Sequence, residues 1–161
     1  MIIQITQKLA TFFEVTPSKN LPPDPNPFAN WLAQPFSADR QAYYLIANAT
    51  AFYSLIMDAE EIRTPGAFLA ELARLMDQTL TADGCQTIFH QHIVPSGNRI
   101  VFSTFTDKSQ LATMRYLTTS AKQLMEEGGF PPLKSSLMLN ERPMKRHSFQ
   151  TPHEVFIDMC G

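Results

Sequence analysis

Four polar residues, Thr106, Asp107, Lys108 and Ser109, lie where an apolar run ends and a helical pattern begins. Such a junction can bind an anion, because the first backbone N–H groups of a helix have no intrahelical partner and the helix dipole favours negative charge. Arg115 is seven positions beyond Lys108, so both side chains lie close to one helix face. The segment 106–115 therefore contains a candidate anion or nucleotide site formed by Thr106, Lys108, Ser109 and Arg115.

The same junction has a purely structural interpretation as the start of a helix. Dedicated phosphate loops contain glycines that let the backbone approach the ligand, and no glycine lies between Phe105 and Leu111. Asp107 would place a carboxylate where the anion should bind, and Asp107 followed by Gln110 resembles a capping box. These residue types favour a helix cap over a binding site.

A second group of charged residues lies towards the C-terminus. Four basic side chains form a basic patch: Lys134, Arg142, Lys145 and Arg146. The patch could bind phosphates or an acidic protein partner. The whole chain, however, has a formal net charge of -2, which gives no general attraction to nucleic acid. We therefore do not expect nucleic acid as a partner.

The segment 82–94 contains the residues that most resemble metal ligands. As a strand, it would place His90 and His92 on one face, where they could bind a metal ion. As a helix, it turns His90 away from His92 and places Cys85 on an apolar stripe as a structural thiol. Asp83 followed three residues later by glutamine again resembles a capping box. The helical pattern explains more residues, and the strand alternative stays open; we expect no metal site and no cofactor.

No assembled set of catalytic residues is recognisable. The serines and cysteines lack the flanking glycines of a nucleophile elbow. His147, His153 and Cys160 do not have the spacing of a zinc motif. Three carboxylates follow a predicted strand and fit a solvated loop: Asp58, Glu60 and Glu61. We therefore predict no catalytic residues and a protein that is not an enzyme.

The elements that would position these residues come in blocks. Apolar, β-branched and aromatic runs predict strands at 2–5, 31–36, 43–48, 52–57, 100–105 and 133–139. Periodicity and capping signals predict helices at 6–14 (with Leu9, Phe12 and Phe13 turned inward), at 64–80, from Asp107 to Gly128, and from Thr151 onward. Because strand and helix signals are not strictly alternating, we predict an α+β fold. It would contain a mainly antiparallel sheet of about four to six strands with helices packed on one side.

Composition sets the broad class. The 161 residues, 44% hydrophobic and 17% charged, fit a single globular domain spanning 1–161. The prolines of segment 16–30 predict a surface crossing held at its end by Phe28 and Trp31. With only two cysteines, both expected to be reduced, and no recognisable signal peptide or membrane span, we expect a cytoplasmic protein.

Short motifs along most of the chain resemble a family of small bacterial proteins known as a domain of unknown function. Members open with a strand and a Thr-x-Lys-Leu element, carry a tryptophan before a hairpin, and have a strand ending in Lys-Thr followed by Arg-Ser-x-x-Gly-x-Met-Asn. The matching positions are Thr6, Lys8, Leu9, Trp31, Asn48, Thr50, Thr106, Lys108, Ser109, Met114, Asn140 and Pro143. The chain departs from the pattern at Phe105, Ala112 and Arg115, where the family tends to have Lys, Gly and Asn. The resemblance implies a bacterial protein and no particular activity.

Taken together, the residues predict a non-catalytic protein-interaction module with an unidentified protein partner. The alternative is an anion- or nucleotide-binding protein that uses the junction at 106–115.

Overall fold

The computed structural model describes residues 1–161, which form five strands and six helices. In chain order these are β1 (Ile2–Ile5), α1 (Gln7–Phe13), β2 (Asn30–Ala38), β3 (Gln41–Asn48), β4 (Ser54–Asp58), α2 (Pro65–Ala82), α3 (Gln86–Ile88), β5 (Val101–Thr104), α4 (Lys108–Glu126), α5 (Pro132–Asn140) and α6 (Pro152–Asp158). The α+β class predicted from the sequence is confirmed.

The strands form one sheet in the order β4-β3-β2-β1-β5. The pairs β2–β3 and β3–β4 are antiparallel, as predicted for the sheet. The first strand β1, however, lies parallel to both β2 and β5, so the prediction of a mainly antiparallel sheet is wrong and the sheet is mixed. Parallel neighbours need long crossover connections, and the segments between β1 and β2 and before β5 supply them.

Helices cover both faces of the sheet, and the prediction of helices on one side is also wrong. Alternate residues of β3 enter different cores: Tyr44 and Ile46 pack with α1, α2 and α6, whereas Tyr43 and Leu45 pack with α4 and α5. The last six residues of β3 are all buried. A strand buried on both faces reads as a continuous apolar run rather than an alternating one, and this run is visible in the sequence.

The long helix α2 forms for the reasons read from the sequence. The Thr64 side chain accepts a hydrogen bond from the Ala67 N–H at 3.1 Å, and Pro65 is the first helical residue. The predicted apolar stripe from Phe68 to Leu80 is buried. In the shorter α1, Leu9 and Phe13 are buried as predicted, but Phe12 is 53% exposed. Phe12 lies outside the stripe because 9 and 13, four positions apart, define the inner face.

The ambiguous segment 82–94 is helical. After α3 the chain continues as a π-helix over Phe89–Ile93 and a 3₁₀-helix over Val94–Asn98. His92 stacks on the Phe28 ring with 4.9 Å between ring centroids, and His90 is exposed. These two histidines therefore do not form the shared strand face that the metal alternative requires.

A helix replaces the predicted strand at 133–139. Pro132 is the first residue of α5, a position that suits its fixed φ. Side chains of α5 bind the outer edge of β4: Asn140 accepts from the Ser54 N–H at 2.7 Å and donates to the Ser54 carbonyl at 3.0 Å, and Ser136 Oγ accepts from the Ile56 N–H at 3.0 Å. The helix thus occupies the position of a sixth strand.

The proline-rich segment 16–30 borders the opposite edge of the sheet. Ser18 pairs with Ser103 of β5, and its N–H donates to the Phe102 carbonyl at 2.9 Å. Phe28 and Trp31, at the end of the segment, are fully buried.

Candidate functional site

The predicted junction at 106–115 is a capped helix start. Asp107 is the N-cap of α4, and its carboxylate accepts from the Ser109 N–H at 2.7 Å. Gln110 does not complete the capping box, because its side chain donates instead to the Ala49 carbonyl at 3.1 Å. The cap prediction is thus confirmed for Asp107 and wrong for Gln110.

The remaining residues of the predicted anion site are on the surface. Thr106, Lys108, Ser109 and Arg115 are all exposed. The Asp107 carboxylate already occupies the Ser109 N–H, which is one of the free donors that an anion would use. The charge of Asp107 also opposes an anion at the same point.

One member of the basic patch lies against this junction. Arg146 donates to the Thr113 hydroxyl, and its Nη1 lies 3.5 Å from the Ser109 carbonyl oxygen. Its guanidinium also stacks over the Phe52 ring, 4.4 Å from the centroid. The structure therefore joins the two charged regions that the sequence presented separately. No carboxylate lies within salt-bridge distance of Lys134, Arg142, Lys145 or Arg146.

A groove of about 470 Å³ separates α4 from the segment 143–149. We call it the basic groove; its lining residues are Ala112, Thr113, Tyr116, Pro143, Met144, Lys145, Arg146 and Phe149. Two large apolar side chains on it are unusually exposed, Tyr116 at 54% and Phe149 at 70%. Lys108 and Arg115 are neighbours of Ala112 on the same helix face, four residues before it and three after it. The groove therefore combines exposed aromatic rings with unpaired positive charge.

The segment that carries Phe149 is tightly wound and strained. A 3₁₀ turn, Lys145–His147, is followed by two left-handed residues, Ser148 at φ 53° and Phe149 at φ 68°. A bulky residue rarely adopts a positive φ. Hydrogen bonds between Met144 and Gln150 at 3.0 Å, and from the Phe149 N–H to the Met144 carbonyl at 2.9 Å, hold the turn closed. The fold thus presents the Phe149 ring to solvent in a defined position.

The His147 side chain holds the same turn against Ala51 and Phe52. Its Nε2 lies 3.0 Å from the Ala51 carbonyl oxygen, and its ring lies 6.1 Å from that of Phe52. Burial lowers the pKa of His147 below its ordinary value; the hydrogen bond with Ala51 partly opposes this effect, and the charge of Arg146 adds a smaller lowering. The positive charge of the basic groove at neutral pH therefore comes from lysine and arginine.

A second, larger depression lies between α1 and the β2–β3 hairpin. Its volume is about 1100 Å³, and it mixes exposed basic and acidic side chains, including Lys8, Arg40, Glu60 and Glu61. The charges of both signs give it no evident ligand preference.

A third candidate site brings together residues that the sequence analysis considered separately. Asp83, Cys85 and His153 each place one potential ligand atom within 4.8 Å of the others. The expected capping box at Asp83 is not formed, because Asp83 lies at the C-terminal end of α2 and its carboxylate accepts from Tyr53 Oη and lies beside His153 Nδ1, both at 2.7 Å. Sequence spacing could not reveal this, since His153 is distant along the chain.

The fold and the groove define a class: an α+β protein with a five-stranded mixed sheet, helices on both faces and an exposed basic–aromatic surface. The chain belongs to the family described as Domain of unknown function (DUF6933), whose model matches residues 2–155. This match confirms the resemblance to an uncharacterised family. A comparison with curated proteins gave no match. None of the helices combines the length and the apolar character needed to cross a membrane.

Proposed function

We propose that the protein is a non-catalytic interaction module that binds an acidic segment of a partner protein in the basic groove. The observation that carries the proposal is the exposure of Tyr116 and Phe149 beside Lys145 and Arg146, which form no salt bridge. Aromatic residues and arginine are the side chains that most often dominate binding energy in protein interfaces.

Charge defines the chemistry of the partner. Lys145 and Arg146 line the groove, and Lys108 and Arg115 flank it on α4. Asp107 is the acidic residue at the start of this helix, and its carboxylate is engaged by the Ser109 N–H. A carboxylate-rich peptide would complement this surface, which increases the association rate and selects against basic partners.

The groove favours a peptide over a small anion. A small anion would need several convergent donors, but the Ser109 N–H is already bonded to Asp107, and Arg146 is held by Thr113 and by the Phe52 ring. A peptide can use the remaining charge of Lys145, Lys108 and Arg115 while an apolar side chain packs between the two exposed rings. Burying such rings contributes favourably, at about 25 cal/mol per Å² of apolar surface.

We also propose that the protein is bacterial, as its family resemblance suggests, and that it is cytoplasmic. Cys85 and Cys160 are free thiols, which fits a reducing compartment.

Binding can be tested with three labelled peptides of equal length that carry one phenylalanine among Glu, Gln or Lys residues. In fluorescence anisotropy the Glu peptide should bind at least about tenfold more tightly than the Gln peptide, a difference of ~1.4 kcal/mol, and the Lys peptide should not bind. Added salt should weaken binding, because exposed charges are screened. Equal binding of the Glu and Gln peptides would refute an electrostatic groove.

Substitutions locate the binding surface. Tyr116→Ala, Phe149→Asn and Lys145→Glu should each weaken binding of the Glu peptide; asparagine is chosen at 149 because it tolerates positive φ. The matched controls are Phe12→Ala, which removes a ring that is 53% exposed elsewhere, and Lys19→Glu, at an exposed lysine outside the groove. Equal losses in the control variants would contradict the proposal.

The alternative function, anion or nucleotide binding at 106–115, gives a different result. Inorganic phosphate or ATP would then raise the melting temperature of the protein by mass action, and Lys108→Ala would abolish this effect without affecting the apo protein. That outcome would support the anion site and refute the peptide proposal.

A further inference from the structure

We propose that Asp83, Cys85 and His153 form a binding site for a transition-metal ion of the Zn²⁺ class. Asp83 and Cys85 lie in the turn that follows α2, His153 lies in α6, and one ligand atom of each residue lies within 4.8 Å of the others. The cluster is on the sheet face covered by α2 and α6, whereas the basic groove lies beside α4. The inference is therefore independent of the proposed function.

The donor set determines the kind of ion. One carboxylate oxygen, one thiol sulfur and one imidazole nitrogen suit borderline and softer metal ions such as Zn²⁺ and Co²⁺. Ca²⁺ and Mg²⁺ prefer sites made only of oxygen atoms. The presence of Cys85 thus selects against the hard cations.

Local backbone geometry brings Asp83 and Cys85 to the same place. Asp83 ends α2, with its N–H bonded to the Thr79 carbonyl at 3.0 Å. Gly84 adopts φ +76°, a conformation that residues with a side chain rarely adopt, and turns the chain back. The Cys85 N–H then donates to the Leu80 carbonyl at 2.7 Å.

His153 is fixed independently at the start of α6. It lies within the capping box of Thr151 and Glu154, in which each side chain accepts a hydrogen bond from the other residue's N–H, at 3.1 Å and 2.8 Å. Phe156 in the same helix is fully buried and stacks on Tyr53, with 4.5 Å between ring centroids. The three donors are therefore held by elements that the core already orders.

Tyr53 holds the Asp83 carboxylate with a hydrogen bond, as neighbouring residues do for the metal-binding carboxylates of known sites. Tyr53 Oη donates to Asp83 Oδ2 at 2.7 Å, and burial followed by this hydrogen bond raises the pKa of Tyr53 well above its ordinary value, so that it remains a donor. In the ion-free protein the His153 and Asp83 side chains contact each other directly, with 2.7 Å between His153 Nδ1 and Asp83 Oδ2. Glu141, 61% exposed and 3.9 Å from His153 Nδ1, is a candidate for a fourth ligand.

The cluster is shielded from water, as structural metal sites usually are. The side chains of Asp83 and His153 are 12% and 20% exposed, and Cys85 is buried. Burial, with a contribution from Asp83, raises the pKa of the Cys85 thiol to about 11. Binding would convert this thiol to a thiolate and release its proton to solvent.

Cobalt titration of the full chain, after dialysis against a chelator, tests the site. Co²⁺ should produce a near-ultraviolet thiolate-to-cobalt charge-transfer band that saturates at one ion per chain and disappears on addition of Zn²⁺. Cys85→Ser should abolish the band, and Cys160→Ser, the matched control at the other free cysteine, should keep it. His153→Gln, which leaves both thiols in place, should weaken Co²⁺ binding at least about tenfold.

Circular dichroism of each variant establishes that it is folded before titration. If Cys85→Ser does not fold, His153→Gln and Cys160→Ser decide the matter. The proposal fails if the wild-type protein gives no band, if a folded Cys85→Ser retains it, if His153→Gln binds Co²⁺ as well as the wild type, or if Cys160→Ser alone loses the band.

Discussion

Asp83 and Asp107 stand in the same local pattern, an aspartate followed three residues later by a glutamine, yet they form different interactions. Asp107 is exposed and caps α4 through the Ser109 N–H at 2.7 Å. Asp83 is largely buried and binds Tyr53 and His153, which are remote in sequence. The comparison shows that this pattern favours a helix cap only when the aspartate has no other partner. Where the aspartate is buried beside polar side chains, its carboxylate binds those side chains instead.

The largest effect is expected at Asp83. Asp83→Ala leaves the buried Tyr53 hydroxyl without its acceptor, and an unsatisfied buried polar group costs about 1–3 kcal/mol. We expect a loss of about 2–3 kcal/mol in the free energy of unfolding, measured by urea denaturation of the metal-free protein.

Tyr53→Phe provides the matching control for this prediction. It removes the donor and should cost about 1 kcal/mol in the wild type but almost nothing in the Asp83→Ala background, because the interaction is already lost there. Additive losses in the double variant would mean that the two side chains do not interact.

An intermediate effect is expected at Asp107. Asp107→Ala should lower the free energy of unfolding by about 1 kcal/mol, the usual cost of losing an N-cap, and Asp107→Ser should recover most of it because serine still offers an oxygen. Lys108→Ala, at the next position, should be nearly neutral, since a lysine in the first turn interacts unfavourably with the helix dipole. If Asp107→Ala is as damaging as Asp83→Ala, the contrast between the two aspartates is wrong.

The smallest effect is expected at His147, which should make the stability of the protein depend on pH. The pKa of His147 is lower in the folded protein than its ordinary value of about 6.5. The unfolded chain therefore binds a proton more readily, so the stabilising contribution is complete above pH ~6.5 and is lost as the pH falls through the folded-state pKa.

The measurement is the urea midpoint between about pH 5 and pH 8, the range around the ordinary histidine pKa. His147→Gln should show a shallower decrease below pH ~6.5 than the wild type, because it lacks the titrating group. Parallel curves for the two proteins would exclude His147 as the source.

Local signals predicted most elements of the fold. Thr64 and Pro65 start α2, and Thr151 with Glu154 starts α6, because these caps depend on residues a few positions apart. The apolar pattern predicts a strand at 133–139, whereas Pro132, at the first helical position, starts a helix there. The parallel position of β1 depends on pairing with distant strands, which periodicity cannot specify.

The candidate sites were less predictable for the same reason. Lys145 and Arg146 were identified by charge, but Tyr116 and Phe149 gave no signal, since their exposure depends on how the 143–149 segment packs beside α4. The only short-range clue to the Asp83 cluster is the Asp-Gly-Cys sequence, whose glycine permits the reversal.

The hydrogen bonds from α5 to β4 have a consequence for association between molecules. An open strand edge is a template on which another chain can add a strand, and proteins commonly protect such edges. Here Ser136 and Asn140 occupy the outward donors and acceptor of Ser54 and Ile56. The β4 edge of the sheet is therefore terminated by side chains of a helix, and this edge stays closed to strand exchange between copies for as long as α5 remains docked.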